Sequence, residues 1–145
     1  MGTPAAIAAI FMKQRTASCS CGKLRVRVTG DPLGVGVCHC LACQRRTGSA
    51  FAELARFSAP FEVSGAASEY LYVGDHGSRF RFRFCPECGS TVTKTEEGDE
   101  RSVSVPVGAF ADPDFPPPTA SVYTSRKHAW VQLPPGIRAF DTDPG

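Results

Sequence analysis

The feature that most restricts what this chain can fold into is the distribution of its cysteines. The 145-residue sequence contains seven, in three tight clusters: a first pair (Cys19 and Cys21), a middle trio (Cys38, Cys40 and Cys43) and a last pair (Cys85 and Cys88). An odd number cannot all pair as disulfides. The N-terminal segment has no secretory character, so we expect a reducing, cytoplasmic setting in which disulfides are rare. The clusters therefore predict metal ligands instead of a disulfide framework.

The number of cysteines suggests how the ligands divide. A closed structural zinc site takes four ligands, whereas a catalytic site keeps one position open. The last pair, followed by Gly89, has the spacing of a zinc knuckle, and the first pair, followed by Gly22, can complete a closed site with it. The trio then forms a separate site with a vacant position. Spacing does not exclude a second partition, in which the last pair joins two cysteines of the trio; we favour four plus three.

The remainder of the sequence indicates a single all-β domain. Residues 79–84 read Arg-Phe-Arg-Phe-Arg-Phe, which predicts a strand with three phenylalanines on one face and three arginines on the other. Similar segments predict strands at 24–29, 35–38, 51–57, 61–64, 70–73, 91–95, 101–107 and 121–124, with a turn or one helical turn at 41–48. We predict a flexible leader over residues 1–15 and one zinc-binding domain over 16–145, ending in a tail from 134.

Composition excludes some functions. The net charge of +2 is too small to argue for nucleic acid or membrane binding by itself. The apolar run near the N-terminus is far shorter than a membrane span. The acidic residues form no convincing acid–base pair, so the sequence does not support general acid–base catalysis by carboxylates.

The all-sulfur ligand sets favour zinc, although rubredoxin-like iron would also fit the four-cysteine site. Three thiolates leave a zinc unit with one net negative charge, which weakens it for activating water. An incoming thiol can still bind there as thiolate, because the metal displaces its proton. We therefore expect the trio to perform thiol chemistry, with Cys38, Cys40 and Cys43 as its catalytic centre.

Five other positions have weaker interpretations. Arg45 and Arg46 follow the trio at once and are candidates to bind a carboxylate of the substrate, since guanidinium groups pair with carboxylates in two-pronged fashion. His39 should point away from its cysteine neighbours in an extended strand. His128 is expected to face solvent, and Trp130 to belong to the core.

Taken together, the motifs resemble the glutathione-dependent formaldehyde-activating enzymes, within the superfamily that includes centromere protein V. The resemblance covers roughly residues 16–131 and rests on the following segments: Cys19-Ser-Cys-Gly22, Cys38-His-Cys-Leu-Ala-Cys43, Arg45, Thr47-Gly-Ser49, Phe51, Phe84-Cys-Pro-Glu-Cys-Gly89, Gly108-Ala-Phe-Ala-Asp-Pro113 and 125–130. It implies a small β-tent of short antiparallel strands, a structural zinc on the first and last pairs, and a second zinc on the trio. It also implies a carbon–sulfur lyase that interconverts glutathione plus formaldehyde with S-hydroxymethylglutathione.

The hypothesis for function is thus a zinc-dependent carbon–sulfur lyase acting on adducts of glutathione, or of a related small thiol, with an aldehyde. The first alternative is a non-catalytic zinc-binding interaction module. A less favoured alternative is a nucleic-acid binder that uses the arginines of 79–84 together with Arg25 and Arg27. The sequence leaves the oligomeric state open, a homodimer included.

Overall fold

A computed structural model describes residues 12–143 and confirms the all-β prediction. The strands are β1 (Gln14–Ser18), β2 (Arg25–Thr29), β3 (Gly34–Cys38), β4 (Ala52–Ser58), β5 (Phe61–Ser64), β6 (Ser68–Val73), β7 (Arg79–Phe84), β8 (Thr91–Glu96), β9 (Asp99–Pro106), β10 (Ala120–Val122) and β11 (Arg138–Ala139). The helical segments are α1 (Leu41–Thr47) and the 3-10 turns η1 (Val107–Phe110) and η2 (Thr124–Arg126). No helix within residues 12–143 is long and apolar enough to cross a bilayer.

The strands form two sheets. The smaller is antiparallel, in the order β1-β2-β5, and the larger has the order β11-β10-β3-β4-β9-β8-β7-β6. The expectation of antiparallel strands fails at one end of the larger sheet, where β10 runs parallel to both β3 and β11. Parallel pairing needs a long crossover. Between β3 and β10 the chain forms β4 to β9 and a proline-rich connector, and this long segment is the crossover.

The core lies between the sheets. In β2 the sequence Arg-Val-Arg-Val-Thr places Val26 and Val28 fully inside and Arg25 and Arg27 in solvent, as the two-residue period of a half-buried strand requires. β2 contacts β4 and β8, so the small sheet covers one face of the large one. The largest side chain sealed between them is Phe57 of β4.

Several boundaries differ from those predicted. Gln14 and Arg15, which the sequence analysis placed in the leader, belong to β1, because backbone pairing with β2 orders a segment with few apolar residues. Residues 1–11 of that leader lie outside the described part. β11 lies within the predicted tail. The prediction that Trp130 belongs to the core is wrong, since the side chain is 70% exposed and its neighbour Val131 is buried instead.

Gly65, just after β5, supports the loop that carries the first cysteine pair, and this predicts a sharp effect of substitution. A Cβ at Gly65 would lie 1.9 Å from the carbonyl oxygen of Lys23, at a φ of +99°. We expect Gly65→Ala to lower the free energy of unfolding by more than about 3 kcal/mol, because backbone must move to relieve the clash. Urea unfolding measures it.

Gly77→Ala is the matched control. Its φ is +84°, but nothing lies within 4 Å of the added carbon. Only the cost of the left-handed conformation applies, about 1–2 kcal/mol. Equal losses in the two variants would contradict the packing role of Gly65.

Candidate metal centres and substrate cleft

The structure brings the first and last cysteine pairs together. One side-chain sulfur from each of Cys19, Cys21, Cys85 and Cys88 lies within 4.8 Å of the others. Cys21 Sγ is 3.6 Å from both Cys19 Sγ and Cys85 Sγ. Sulfurs about 2.3 Å from a tetrahedral zinc stand about 3.8 Å apart, so this quartet fits the ion without rearrangement.

The local backbone explains why these turns present their sulfurs. Each pair is followed by a glycine with positive φ, Gly22 at 83° and Gly89 at 78°, which lets the chain fold back over the preceding cysteines. The backbone N–H of Leu24 donates to Cys19 Sγ over 3.2 Å. The side chain and amide of Ser90 lower the pKa of Cys88 to about 5, so that thiol is predisposed to the ionised form that metals bind.

The middle trio forms a second, separate cluster, in which the sulfurs of Cys38, Cys40 and Cys43 also lie within 4.8 Å of one another. Cys38 ends β3, Cys40 is the N-cap of α1, and Cys43 lies in the first turn of that helix. Cys40 Sγ accepts the N–H of Cys43 over 3.3 Å. The strand-to-helix transition therefore gathers three thiols from six consecutive residues.

The thiols of the trio lie so close together that their pKa values shift in opposite directions. Hydrogen bonds from Cys38 and Cys43 hold the pKa of Cys40 far below its usual value, at about 2. The same contacts, chiefly that with Cys40, raise the pKa of Cys38 well above its ordinary range. Three thiols so close together cannot all ionise unless a cation joins them, so the donor set fits a thiophilic metal such as zinc.

The trio opens onto a cleft of about 580 Å³, whose lining also includes Lys94, Tyr72 and the rings of Phe80 and Phe82. These residues come from β8, β7 and β6, the three strands at one end of the larger sheet, which follow α1 much later in the chain. The quartet does not line this cleft. Of the two clusters, the trio therefore lies on the wall of this cleft, whereas two cysteines of the quartet, Cys21 and Cys88, face solvent directly.

Arg46 and Arg45 diverge. The guanidinium of Arg46 lies 4.2 Å from the centroid of the Phe82 ring, and its Nη2 is buried without a hydrogen-bond partner. The hydrogen bond with Cys38 lowers the pKa of Cys43, but the contact with Cys40 and burial raise it more. The pKa is therefore raised overall, and the charge of Arg46 offsets only part of that rise. Arg45 is exposed on the outer side of the helix. Neither arginine is among the residues that line the cleft, but Arg46 lies closer to the trio than Arg45 does, packed on a ring of the cleft wall.

Two residues that line the cleft are joined by a hydrogen bond between their side chains. The hydroxyl of Tyr123 donates a hydrogen bond to the carboxylate of Asp75, which joins the segment after β10 to the β6–β7 turn. That bond raises the pKa of Tyr123 well above its usual value. Tyr123 adopts a φ of 55°, an uncommon conformation for a residue with a side chain. The strained tyrosine therefore closes one end of the cleft.

Sequence reasoning missed Lys94, Tyr72, Tyr123 and Asp75. The first two face the cleft because Lys94 pairs with Phe82 and Tyr72 pairs with Phe80. Alternation reveals which residues of a strand share a face, but only the pairing of strands reveals which faces meet. The only indication in the sequence was a lysine in the strand that follows the aromatic strand 79–84, where it could face the same side of the sheet as the phenylalanines.

The histidines supply support at the edge of the site. His39 points away from the trio as expected, but it is fully buried and its Nε2 lies 2.9 Å from Ser121 Oγ of β10. His128 is exposed and its Nε2 lies 2.8 Å from Gln44 Oε1. Gln44 in turn donates to the carbonyls of His39 and Arg126, so α1 is fastened to η2.

Comparison with known proteins places the chain in a family. A crystal structure of a Rhodobacter sphaeroides protein has a TM-score of 0.50 and 19% identity to this chain, over 86% of this chain and 98% of that one, which concerns the fold alone. A search of curated proteins finds no significant match. The family model described as glutathione-dependent formaldehyde-activating enzyme matches residues 14–126, a span that contains all seven cysteines. The chain therefore belongs to the glutathione-dependent formaldehyde-activating enzyme family.

Proposed function

We propose that the protein is a zinc-dependent carbon–sulfur lyase that interconverts glutathione plus formaldehyde with S-hydroxymethylglutathione. The observation that carries this proposal is the three-thiol cluster on the wall of an open cleft, with the quartet held apart from it. Family membership supports the same chemistry. Since glutathione and free thiols belong to reducing compartments, the proposal also places the protein in the cytoplasm.

The two clusters take different roles in this proposal. Cys19, Cys21, Cys85 and Cys88 would hold a structural zinc with four protein ligands. Cys38, Cys40 and Cys43 would hold a second zinc with three, as in catalytic sites. A zinc ion held by these three cysteines would lower the pKa of a bound thiol, so that the thiol would be available as thiolate near neutral pH.

The residues of the cleft position the reactants. Arg46 can donate two parallel hydrogen bonds to a carboxylate of glutathione, and thereby orient the sulfur toward the trio. The rings of Phe80 and Phe82 reduce the access of water to that end of the cleft. The thiolate sulfur attacks the carbonyl carbon of formaldehyde and forms the carbon–sulfur bond. The carbonyl π electrons move to oxygen, which takes up a proton equivalent to the one the thiol lost.

The nucleic-acid alternative loses its main support. Arg79 pairs with Glu97, while Arg81 and Arg83 pair with Glu69. On the small sheet, Arg27 pairs with Glu62. A surface whose arginines are matched by carboxylates offers little of the positive potential that binds phosphate backbones. The remaining alternative is a non-catalytic zinc-binding module. Zinc binding without faster exchange of glutathione and formaldehyde would support it.

Metal content is the first prediction. We expect the wild-type protein to bind two equivalents of zinc, and Cys43→Ser to keep one, because the quartet shares no ligand with the trio. Elemental analysis of protein purified under reducing conditions measures the content. Cys85→Ser serves as the matched variant and should lose the other equivalent together with stability, because its sulfur is buried in the core. Loss of both equivalents in Cys43→Ser would contradict two independent sites.

Activity is the second prediction. Exchange NMR should show faster interconversion of formaldehyde and glutathione with S-hydroxymethylglutathione in the presence of micromolar protein. Arg46→Met should raise KM for glutathione by about tenfold to hundredfold, since hydrogen bonds to charged groups contribute about 1.5–3 kcal/mol. Lys13→Met, at an exposed position just before β1, controls for the loss of one positive charge. If wild-type protein leaves the exchange rate unchanged, the proposed activity is wrong.

A further inference from the structure

Lys94 is a cation in the cleft to which no function has been assigned. It lies on β8, where its neighbours across the sheet are Phe82 of β7 and Ser104 of β9. Directly paired residues of antiparallel strands project from the same face. The side chain of Lys94 therefore shares the face of Phe82, which lines the cleft with the trio.

The ammonium group lies against aromatic rings. Lys94 Nζ lies 4.1 Å from the centroid of Phe80 and 5.8 Å from that of Phe82. Burial lowers the pKa of Lys94, and the charges that act on it are those of the trio and of Arg46. None of the salt bridges found among the described residues involves Lys94. A desolvated cation without an anion is costly, so this arrangement needs a negative partner.

The trio supplies only part of that partner. Zinc with three thiolates carries one net negative charge. Lys94 and Arg46 together carry two positive charges beside it, and Arg46 Nη2 is also buried without a partner. The carboxylates of Asp75 and Asp143 line the same cleft, and that of Asp75 accepts a hydrogen bond from Tyr123. Lys94 lies on the cleft wall beside the trio, where its ammonium group can bind an anionic group on the substrate.

We propose that Lys94 is a specificity-determining residue that binds a carboxylate of the thiol substrate, so that the site selects acidic thiols over neutral ones. This inference rests on the proposed function, because it assumes that a thiol enters beside the trio. Arg46 of α1 and Lys94 of β8 lie 4.2 and 5.8 Å from the centroid of the Phe82 ring, and both interact electrostatically with thiols of the trio. A substrate with two carboxylates, such as glutathione, can use both cations.

The test compares thiols that differ in one carboxylate. Cobalt(II) replaces zinc in the protein, and the sulfur-to-cobalt absorption band reports thiol binding without any need for turnover. The probes are glutathione, its glycine monoethyl ester, cysteinylglycine and 2-mercaptoethanol. The ester lacks the charge of the glycine carboxylate, cysteinylglycine lacks the γ-glutamyl carboxylate, and 2-mercaptoethanol lacks both. The proteins are wild type, Lys94→Met, Lys94→Gln, Lys94→Arg and the control Lys13→Met.

The expected result is selective. Wild-type and Lys13→Met proteins should bind glutathione about tenfold to hundredfold more tightly than at least one of the singly altered thiols, the range expected for a charge-assisted hydrogen bond. Lys94→Met and Lys94→Gln should reduce that preference to about one. Lys94→Arg should retain most of it. Binding of 2-mercaptoethanol should change little among all five proteins.

Two results would overturn the proposal. In the first, the preference for glutathione persists undiminished in Lys94→Met and Lys94→Gln. In the second, both variants weaken the binding of 2-mercaptoethanol as strongly as they weaken the binding of glutathione. The second pattern would mean that Lys94 only balances the charge of the metal site. Failure of every thiol to alter the cobalt spectrum of wild-type protein would instead defeat the proposed function, and this inference with it. Metal content and thermal unfolding establish that each variant is folded.

Discussion

The convergence of four sulfurs from two distant turns is the constraint on which the rest of the fold depends. Cys19 and Cys21 follow β1, while Cys85 and Cys88 connect β7 to β8. The turns belong to different sheets, and the core between those sheets consists mainly of small side chains such as Val26, Val28 and Val105. A small core of this kind supplies limited stability, and small domains commonly add a metal to compensate. A shared ion at the quartet, as proposed, would join the two sheets at the point where apolar packing ends.

The cleft depends on the order of strands in the larger sheet. The trio lies at the end of β3. Two strands, β4 and β9, separate β3 from the lysine on β8, and the aromatic wall on β7 is one strand further. The twist of a sheet this wide turns its outer strands toward one another, so residues distant in strand order can face a common space. The segment after β10 closes the remaining side through Tyr123 and its hydrogen bond to Asp75. The thiols of the trio thus come from six consecutive residues, whereas the lining of the cleft comes from several strands of the sheet.

The sequence predicts what depends on short-range patterns. Cysteine spacing and the alternation in 79–84 carry their information within a few residues, and the structure places those thiols and that strand accordingly. Parallel pairing of β10 with β3 was not predicted, because strand direction is decided by contacts across more than 80 residues. The exposure of Trp130 and the placement of Lys94 in the cleft were missed for the same reason. Hydrophobicity predicts burial on average, and a lysine beside aromatic rings is an exception that only the assembled sheet reveals.

The origin of each sulfur cluster has a consequence for how such proteins diversify. The trio comes from one contiguous stretch at the end of β3 and the start of α1, outside the buried core. Substitutions in that stretch would remove or alter the proposed reactivity while the scaffold persists, since none of the three thiols belongs to the buried core cluster. The quartet has no such freedom, because Cys19 and Cys85 are themselves part of the core. Descendants that keep the architecture and lose the reaction are therefore an accessible evolutionary outcome, and inheritance of the quartet alone would mark them.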